Sequence, residues 1–125
     1  MVVDDNDGVR DFLACVLEMR GMADIFSFGS AHEALAAFTA SPDQFQLVIT
    51  DLDMPGMNGI ELCRRLRAMS PELKIVLATG NDAANVAGAQ QCGFSGLLAK
   101  PFPAAEVWRM VEATGVITNP SRATA

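Results

Sequence analysis

Short apolar runs alternate with longer amphipathic segments over most of the chain. Each run is short enough for a strand and is followed by polar or turn-forming residues. The run Phe45–Thr50 is continuously β-favouring, which is typical of a strand buried on both faces of a sheet. We therefore predict strands at Met1–Val3, Ile25–Phe28, Phe45–Thr50, Lys74–Ala78 and Gly96–Ala99.

The segments between these strands carry apolar residues at helical spacing. The first predicted helix, Asp7–Arg20, has an apolar stripe and ends at Gly21; the stripe consists of Val9, Phe12, Leu13, Val16 and Leu17. Ser30 is a candidate N-cap for a second helix, which Ser41-Pro42-Asp43 would end. Three more helices are predicted at about Asn58–Met69, at Asp82–Cys92, and after Pro103 through about Ala113.

Five strands that alternate with five helices predict an α/β fold. The sheet would be parallel and doubly wound, with helices on both faces and right-handed crossovers. With 125 residues the chain has the size of one domain, which we place at residues 1–114. Residues 115–125 are polar and contain proline, and we expect them to form a flexible C-terminal tail.

Composition narrows the classes of function. No apolar run approaches the roughly 20 residues of a membrane-spanning helix, and the first residues do not resemble a signal peptide. We therefore expect a cytoplasmic protein that does not bind membranes. A net charge of −6 argues against direct binding of nucleic acid. Cys15, Cys63 and Cys92 are widely spaced, so we expect reduced, mostly buried thiols rather than disulfides or a zinc site.

Polar residues follow four of the predicted strands at the point where each strand ends. They are Asp4 and Asp5, then Asp51, Thr79 and Lys100. In open parallel sheets ligands bind at the carboxyl ends of the strands, so these side chains should lie together. Three converging carboxylates need a cation, and Mg²⁺ suits a small oxygen-lined site. One carboxylate could then attack phosphorus, while Lys100 and the Thr79 hydroxyl bind the phosphoryl oxygens.

Four segments carry a family resemblance. They are Val2-Val3-Asp4-Asp5, Thr50–Gly59, Leu77–Gly80 and Leu98–Phe102. In order, spacing and strand context they resemble the receiver domains of two-component response regulators, including the chemotaxis-type receivers. The resemblance spans about Met1 to Ala113 and implies a flavodoxin-like strand order, 2-1-3-4-5.

The resemblance also implies how the acidic residues act. Asp51 would accept a phosphoryl group from a histidine kinase or a histidine phosphotransfer domain. Asp5 would bind Mg²⁺ directly, and Asp4 would act mainly through water. Asp51 and the backbone carbonyl of Asp53 would complete the metal ligands supplied by the protein.

Further implications concern signalling. Thr79 would hydrogen-bond a phosphoryl oxygen, and Lys100 would pair with Asp51 or its phosphate. Phosphorylation would switch the conformation to control an unknown output partner, and it could allow a phosphorylation-dependent homodimer to form. The domain would catalyse only its own phosphorylation and dephosphorylation. Geometry and resemblance together place kinase docking over Asp7, Gly8 and Val9 and over the Pro101–Pro103 loop.

The sequence departs from the family pattern in three ways. Met1 stands only three residues before Asp4, so either the first strand is short or residues are missing upstream. Leu97 occupies the position usually held by a switch tyrosine or phenylalanine, which puts the common threonine–aromatic coupling in doubt. No output domain follows the last helix, which fits a stand-alone receiver or a part of a longer regulator or hybrid kinase.

Three other functions compete with this interpretation. Asp51-Leu52-Asp53 superficially matches the Asp-x-Asp element of haloacid-dehalogenase-like phosphohydrolases, but here the acidic pair comes first and Pro55 follows. A flavin-binding protein would need hydroxyls and amides where the first loop is rich in aspartate. A receiver fold used only for protein interaction would not need an intact acceptor, lysine and acidic pair.

Overall fold

A computed structural model of the chain describes residues 1–22, 24–80, 93–100 and 102–115. Its five strands are β1 (Val2–Val3), β2 (Ser27–Phe28), β3 (Leu47–Asp51), β4 (Lys74–Thr79) and β5 (Gly96–Ala99). All neighbouring strands are parallel, and their order is β2-β1-β3-β4-β5. The predicted α/β fold and strand order are confirmed.

The described residues form four α-helices and one short 3₁₀ turn, Pro42–Gln44. The helices are α1 (Asp7–Met19), α2 (Ala31–Ala40), α3 (Gly59–Met69) and α4 (Ala104–Thr114). The predicted helix Asp82–Cys92 and all of the predicted tail except Gly115 lie outside the described residues. None of the helices that the structure describes has the length and apolar character needed to cross a membrane.

Side-chain caps fix where three of these helices begin. Asn6 accepts a hydrogen bond from the Val9 N–H, and Ser30 accepts one from the Glu33 N–H. Asn58 caps α3 in the same way. Such caps satisfy backbone donors that have no partner within the helix. The predicted N-cap at Ser30 is confirmed, and the cap at Asn6 lets α1 begin at Asp7, three residues after Asp4.

The sheet separates two layers of core. Alternate β3 residues point to opposite faces, so Val48 packs on one side while Leu47 and Ile49 pack on the other. Residues of α2 and α3 cover the first face, and residues of α1 and α4 cover the second. All five residues of β3 are buried, as predicted for a strand covered on both faces.

The observed strands differ from the predicted ones mainly at their ends. β2 comprises only Ser27–Phe28 of the predicted Ile25–Phe28, because it pairs with the two-residue strand β1. The residue before β1 also contacts β3, because the Met1 ammonium donates to the Leu47 carbonyl at 2.9 Å. β3 and β4 each extend one residue further than predicted, to Asp51 and Thr79.

Two predictions for α1 were wrong. Phe12, assigned to the buried stripe, is 38% exposed, because the buried face is centred on Leu13, Val16 and Leu17. Cys15 was expected to be buried but is exposed on the same helix. Cys63 is buried as predicted, and Cys92 lies outside the described residues.

Candidate functional site

The strand register brings the predicted polar residues together at the carboxyl ends of the strands. Val3 pairs with Thr50, so Asp4 follows β1 beside Asp51 at the end of β3. Thr79 pairs with Ala99, and the Lys100 N–H donates to the Thr79 carbonyl at 2.8 Å. Because all strands run in the same direction, four successive strand ends contribute to one site.

Three carboxylates form the centre of this site. Ligand oxygens of Asp4, Asp5 and Asp51 all lie within 4.8 Å of one another. Asp4 is 1% exposed and Asp51 is 7% exposed, whereas Asp5 is exposed to solvent. Carboxylates that are buried and close together repel each other and lose hydration, so the cluster favours a cation.

Lys100 supplies part of that positive charge. Its ammonium nitrogen lies 3.0 Å from Asp4 Oδ2 and 3.1 Å from Asp51 Oδ1. The side chain is 24% exposed, so both pairs are largely shielded from water. One ammonium cannot balance three carboxylates, which leaves a net negative charge at the end of the sheet.

The pKa values of Asp51 and Lys100 reflect this crowding. Burial and the nearby charge of Asp4 raise the pKa of Asp51, although Lys100 and the Asp53 N–H oppose the shift. Burial alone would lower the pKa of Lys100, but its hydrogen bonds to Asp4 and Asp51 outweigh that effect and raise it. At neutral pH a charged lysine therefore faces a carboxylate group that is costly to keep ionised.

The loop after β3 brings Asp53 and Gly59 to the site. The Asp53 backbone N–H donates to the Asp51 carboxylate, and Asp53 itself is exposed to solvent. A Cβ atom on Gly59 would lie 2.2 Å from the Asp51 carbonyl oxygen. Only glycine therefore lets α3 begin so close to the end of β3.

Asp4 is held by contacts that the sequence did not predict. The Asn6 N–H donates to Asp4 Oδ1 at 2.9 Å, which fixes the carboxylate end opposite Lys100. Arg10 Nη1 donates to the Asp4 backbone carbonyl at 2.6 Å. Arg10 occupies an ordinary polar position of a helix, and no sequence signal links it to a carbonyl six residues earlier.

An apolar groove opens beside the acidic cluster. Its volume is about 550 Å³, and its lining residues are Asn6, Gly8, Val9, Phe12, Lys100 and Phe102. The rings of Phe12 and Phe102 lie 6.1 Å apart between centroids. The exposure of Phe12 therefore contributes to a groove that begins at Lys100.

Leu97 lies away from this groove, on the other side of the sheet. It pairs with Leu77 in the β4–β5 register and packs against the core beneath α2 and α3. An aliphatic side chain has no hydroxyl to donate to Thr79 or to a partner. The structure thus gives Leu97 a packing role at the position where the family usually has an aromatic residue.

Comparison with known proteins identifies the family. Residues 1–112 match the response regulator receiver domain. The chain is 39% identical over 104 residues to the C4-dicarboxylate transport transcriptional regulatory protein DctD of Rhizobium meliloti, covering 82% of this chain and 22% of that protein. It is 34% identical over 116 residues to the transcriptional regulatory protein FixJ of Azorhizobium caulinodans, covering 90% of this chain and 53% of that protein. The chain therefore spans about half or less of the length of these relatives.

Solved structures agree with the sequence relatives. The receiver domain of NtrX from Brucella abortus superposes with a TM-score of 0.82 at 28% identity, covering 93% of this chain and 98% of that one. Nearly all of that receiver domain therefore aligns with this chain. On its fold and on the family match over residues 1–112, the chain belongs to the response regulator receiver domain family.

Proposed function

We propose that Asp51 is the phosphoacceptor of this receiver domain. The observation that carries the proposal is the buried Asp51 carboxylate at the end of the central strand, 3.1 Å from the Lys100 ammonium. The donor would be a phosphohistidine on a histidine kinase or a histidine phosphotransfer domain. Neither Asp4 nor Asp5 ends the central strand, which makes Asp51 the carboxylate best placed for attack.

In the proposed reaction an Asp51 oxygen forms a bond to phosphorus as the bond from phosphorus to the imidazole nitrogen breaks. The electron pair of the broken bond goes to the imidazole, which takes up a proton from solvent. Lys100 offsets charge on the phosphoryl oxygens, and the Thr79 hydroxyl donates a hydrogen bond to one of them. The same residues would serve hydrolysis of the acyl phosphate, and in this proposal the domain would catalyse only its own phosphorylation and dephosphorylation.

The cation proposed for the acidic cluster is Mg²⁺. Its protein ligands would be Asp5 and Asp51 directly, Asp4 mainly through water, and the Asp53 backbone carbonyl. The residues fit, because hard oxygen ligands from three carboxylates lie within 4.8 Å of one another. A bound Mg²⁺ would reduce repulsion between the acceptor carboxylate and the incoming phosphoryl group.

The partners are proposed from the surface around Asp51. The groove between α1 and Phe102 opens at Lys100, so a protein that carries the phosphohistidine could dock there. Val9 and Phe12 would supply apolar contacts. Phosphorylation of Asp51 would then control the binding of an output partner, or homodimerisation, in the cytoplasm.

The experiment is incubation with acetyl phosphate and Mg²⁺, followed by intact-protein mass measurement. A receiver should gain a single labile phosphate, whereas a phosphohydrolase would turn the substrate over and an interaction-only domain would do neither. Asp51→Asn should abolish the gain. Asp43→Asn, an exposed aspartate before β3 at the opposite edge of the sheet, is the matched control and should not. Undiminished labelling of Asp51→Asn would overturn the proposal.

A further inference from the structure

We infer that Arg10 positions the metal-binding carboxylate of Asp5 by fixing the peptide bond between Asp4 and Asp5. This inference rests on the proposed Mg²⁺ site. Arg10 touches neither the phosphoacceptor nor the phosphoryl donor in the proposed reaction, so its role is indirect. It is carried by the contacts of the Arg10 guanidinium at the ends of β1 and β2.

The first step concerns how the three carboxylates are held. Lys100 contacts both Asp4 and Asp51, and the Asn6 N–H holds the other oxygen of Asp4. The hydrogen bonds described for the cluster therefore hold the side chains of Asp4 and Asp51. Asp5 is exposed, and within the described ranges its orientation depends on its backbone.

The second step concerns that backbone. The carbonyl oxygen of Asp4 belongs to the peptide unit whose nitrogen is that of Asp5, and this unit is planar. Arg10 Nη1 donates to this oxygen at 2.6 Å, and the Asp4 N–H donates to the Phe28 carbonyl at 3.1 Å. These two bonds hold the backbone on both sides of the Asp4 Cα atom. The Arg10 bond in particular sets the peptide plane from which the Asp5 side chain projects.

The third step concerns the space that the Arg10 guanidinium occupies beside Gly29. A Cβ atom on Gly29 would lie 3.2 Å from Arg10 Nη1 and 3.8 Å from Arg10 Cζ. Gly29 follows β2 directly, so a missing side chain leaves room for the guanidinium beside the end of β1. The second nitrogen, Nη2, pairs with Asp7, which offsets the positive charge near the proposed cation.

Charge and position predict opposite effects, which makes the inference testable. If Arg10 acted only as a nearby positive charge, removing it would strengthen Mg²⁺ binding, because like charges repel. If it positions Asp5, removing it should weaken Mg²⁺ binding despite the lost repulsion. Groups that orient metal ligands typically change metal affinity by about tenfold or more when they are substituted.

The test is Mg²⁺ titration of the whole chain, followed by the backbone amide NMR signals of Asp5 and Asn6. Arg10→Gln should raise the Mg²⁺ dissociation constant by about tenfold. Arg10→Lys retains the positive charge but lacks the planar guanidinium group, so its affinity for Mg²⁺ should lie between those of Arg10→Gln and wild type. Arg109→Gln is the matched control, because Arg109 also pairs with an acidic residue three positions earlier but lies on α4. It should bind Mg²⁺ like wild type.

Gly29→Ala provides a second variant that changes no charge. Its added methyl group would press on Arg10 Nη1 and should also weaken Mg²⁺ binding, while amide signals of the β3 and β4 core show that the fold is kept. If wild type binds Mg²⁺ and Arg10→Gln binds it equally or more tightly, the inference about Arg10 is overturned while the proposed metal site stands. A wild-type chain that shows no Mg²⁺-dependent shifts would overturn the metal site and the inference with it.

Discussion

The Lys100 ammonium lies 3.1 Å from the Asp51 carboxylate and 3.0 Å from the Asp4 carboxylate, so it bridges the two. The pairing joins the end of the central strand to the end of the edge strand β5. Loss of the Asp51 charge would therefore not leave the lysine without a carboxylate partner, because Asp4 remains 3.0 Å away. The stability of the site can therefore be tested by removing a single charge.

In chelator at pH 7, Asp51→Asn should be more stable than wild type by on the order of 1 kcal/mol. The folded-state pKa of Asp51 is raised by burial and by Asp4, so ionising this carboxyl costs more in the folded protein than in the unfolded chain. That penalty appears as the pH rises through the folded pKa and is absent below the unfolded pKa. The difference between the variants should thus shrink toward pH 4.

Thermal melts of both proteins at pH 7 and pH 4 measure this difference. Millimolar Mg²⁺ should stabilise wild type by mass action and narrow the difference at pH 7. A variant that melts below wild type in chelator at pH 7 would mean that the three carboxylates are not a strained cluster.

Gly59→Ala should destabilise the domain by about 1–3 kcal/mol, the usual cost of inserting a methyl group where there is no room. The new Cβ atom would lie 2.2 Å from the Asp51 carbonyl oxygen and 2.9 Å from Leu52 Cα, so backbone must move. Gly80→Ala is the control for stability, because its Cβ atom would meet Lys100 at an ordinary 3.8 Å. Chemical denaturation measures both, and equal stabilities would contradict the steric argument.

Much of the fold could be predicted because it depends on local patterns. The apolar runs located all five strands, and the alternation of strands with helices gave the parallel sheet. The ends of β2 could not be predicted, because its length is set by pairing with the two residues of β1 rather than by its own sequence. Phe12 was misplaced because helical spacing alone does not show where the edge of the buried face lies.

The candidate site was predictable to the extent that its residues follow strands. Each of the site residues lies at a strand end or within two residues after it, and parallel strands bring such residues together; they are Asp4, Asp5, Asp51, Thr79 and Lys100. The contact of Arg10 with the Asp4 carbonyl was not predictable, because it depends on how α1 crosses the ends of β1 and β2. The space at Gly29 is likewise visible only in three dimensions.

Val9→Glu should slow phosphotransfer from a histidine kinase while leaving labelling by acetyl phosphate close to wild type. Val9 lines the apolar groove beside Lys100, and a buried charge would disfavour an apolar partner there. Val9→Ile, which keeps the apolar surface at the same position, is the matched control and should transfer at the wild-type rate. Single-turnover transfer assays with both donors measure the effect, and equal slowing by both donors would refute docking in the groove.

Leu97→Ala should reduce stability by about 2–3 kcal/mol, the lower part of the range for truncating a leucine in a core. Leu97 is only partly buried where it packs against the core beneath α2 and α3, which limits the cost. Phosphorylation of Asp51 by acetyl phosphate should be retained, because the side chain lies on a core face and not in the groove. Unchanged stability combined with lost phosphorylation-dependent partner binding would show that Leu97 is itself a switch residue.

The most direct test of the account is to identify the phosphorylated residue in the wild-type chain. Borohydride reduction converts an aspartyl phosphate to homoserine, which peptide mass spectrometry locates. After incubation with acetyl phosphate and Mg²⁺, conversion should occur at Asp51 and should disappear in chelator. Conversion at Asp4, Asp5 or Asp53 in place of Asp51, or conversion at Asp51 that does not need Mg²⁺, would contradict the account.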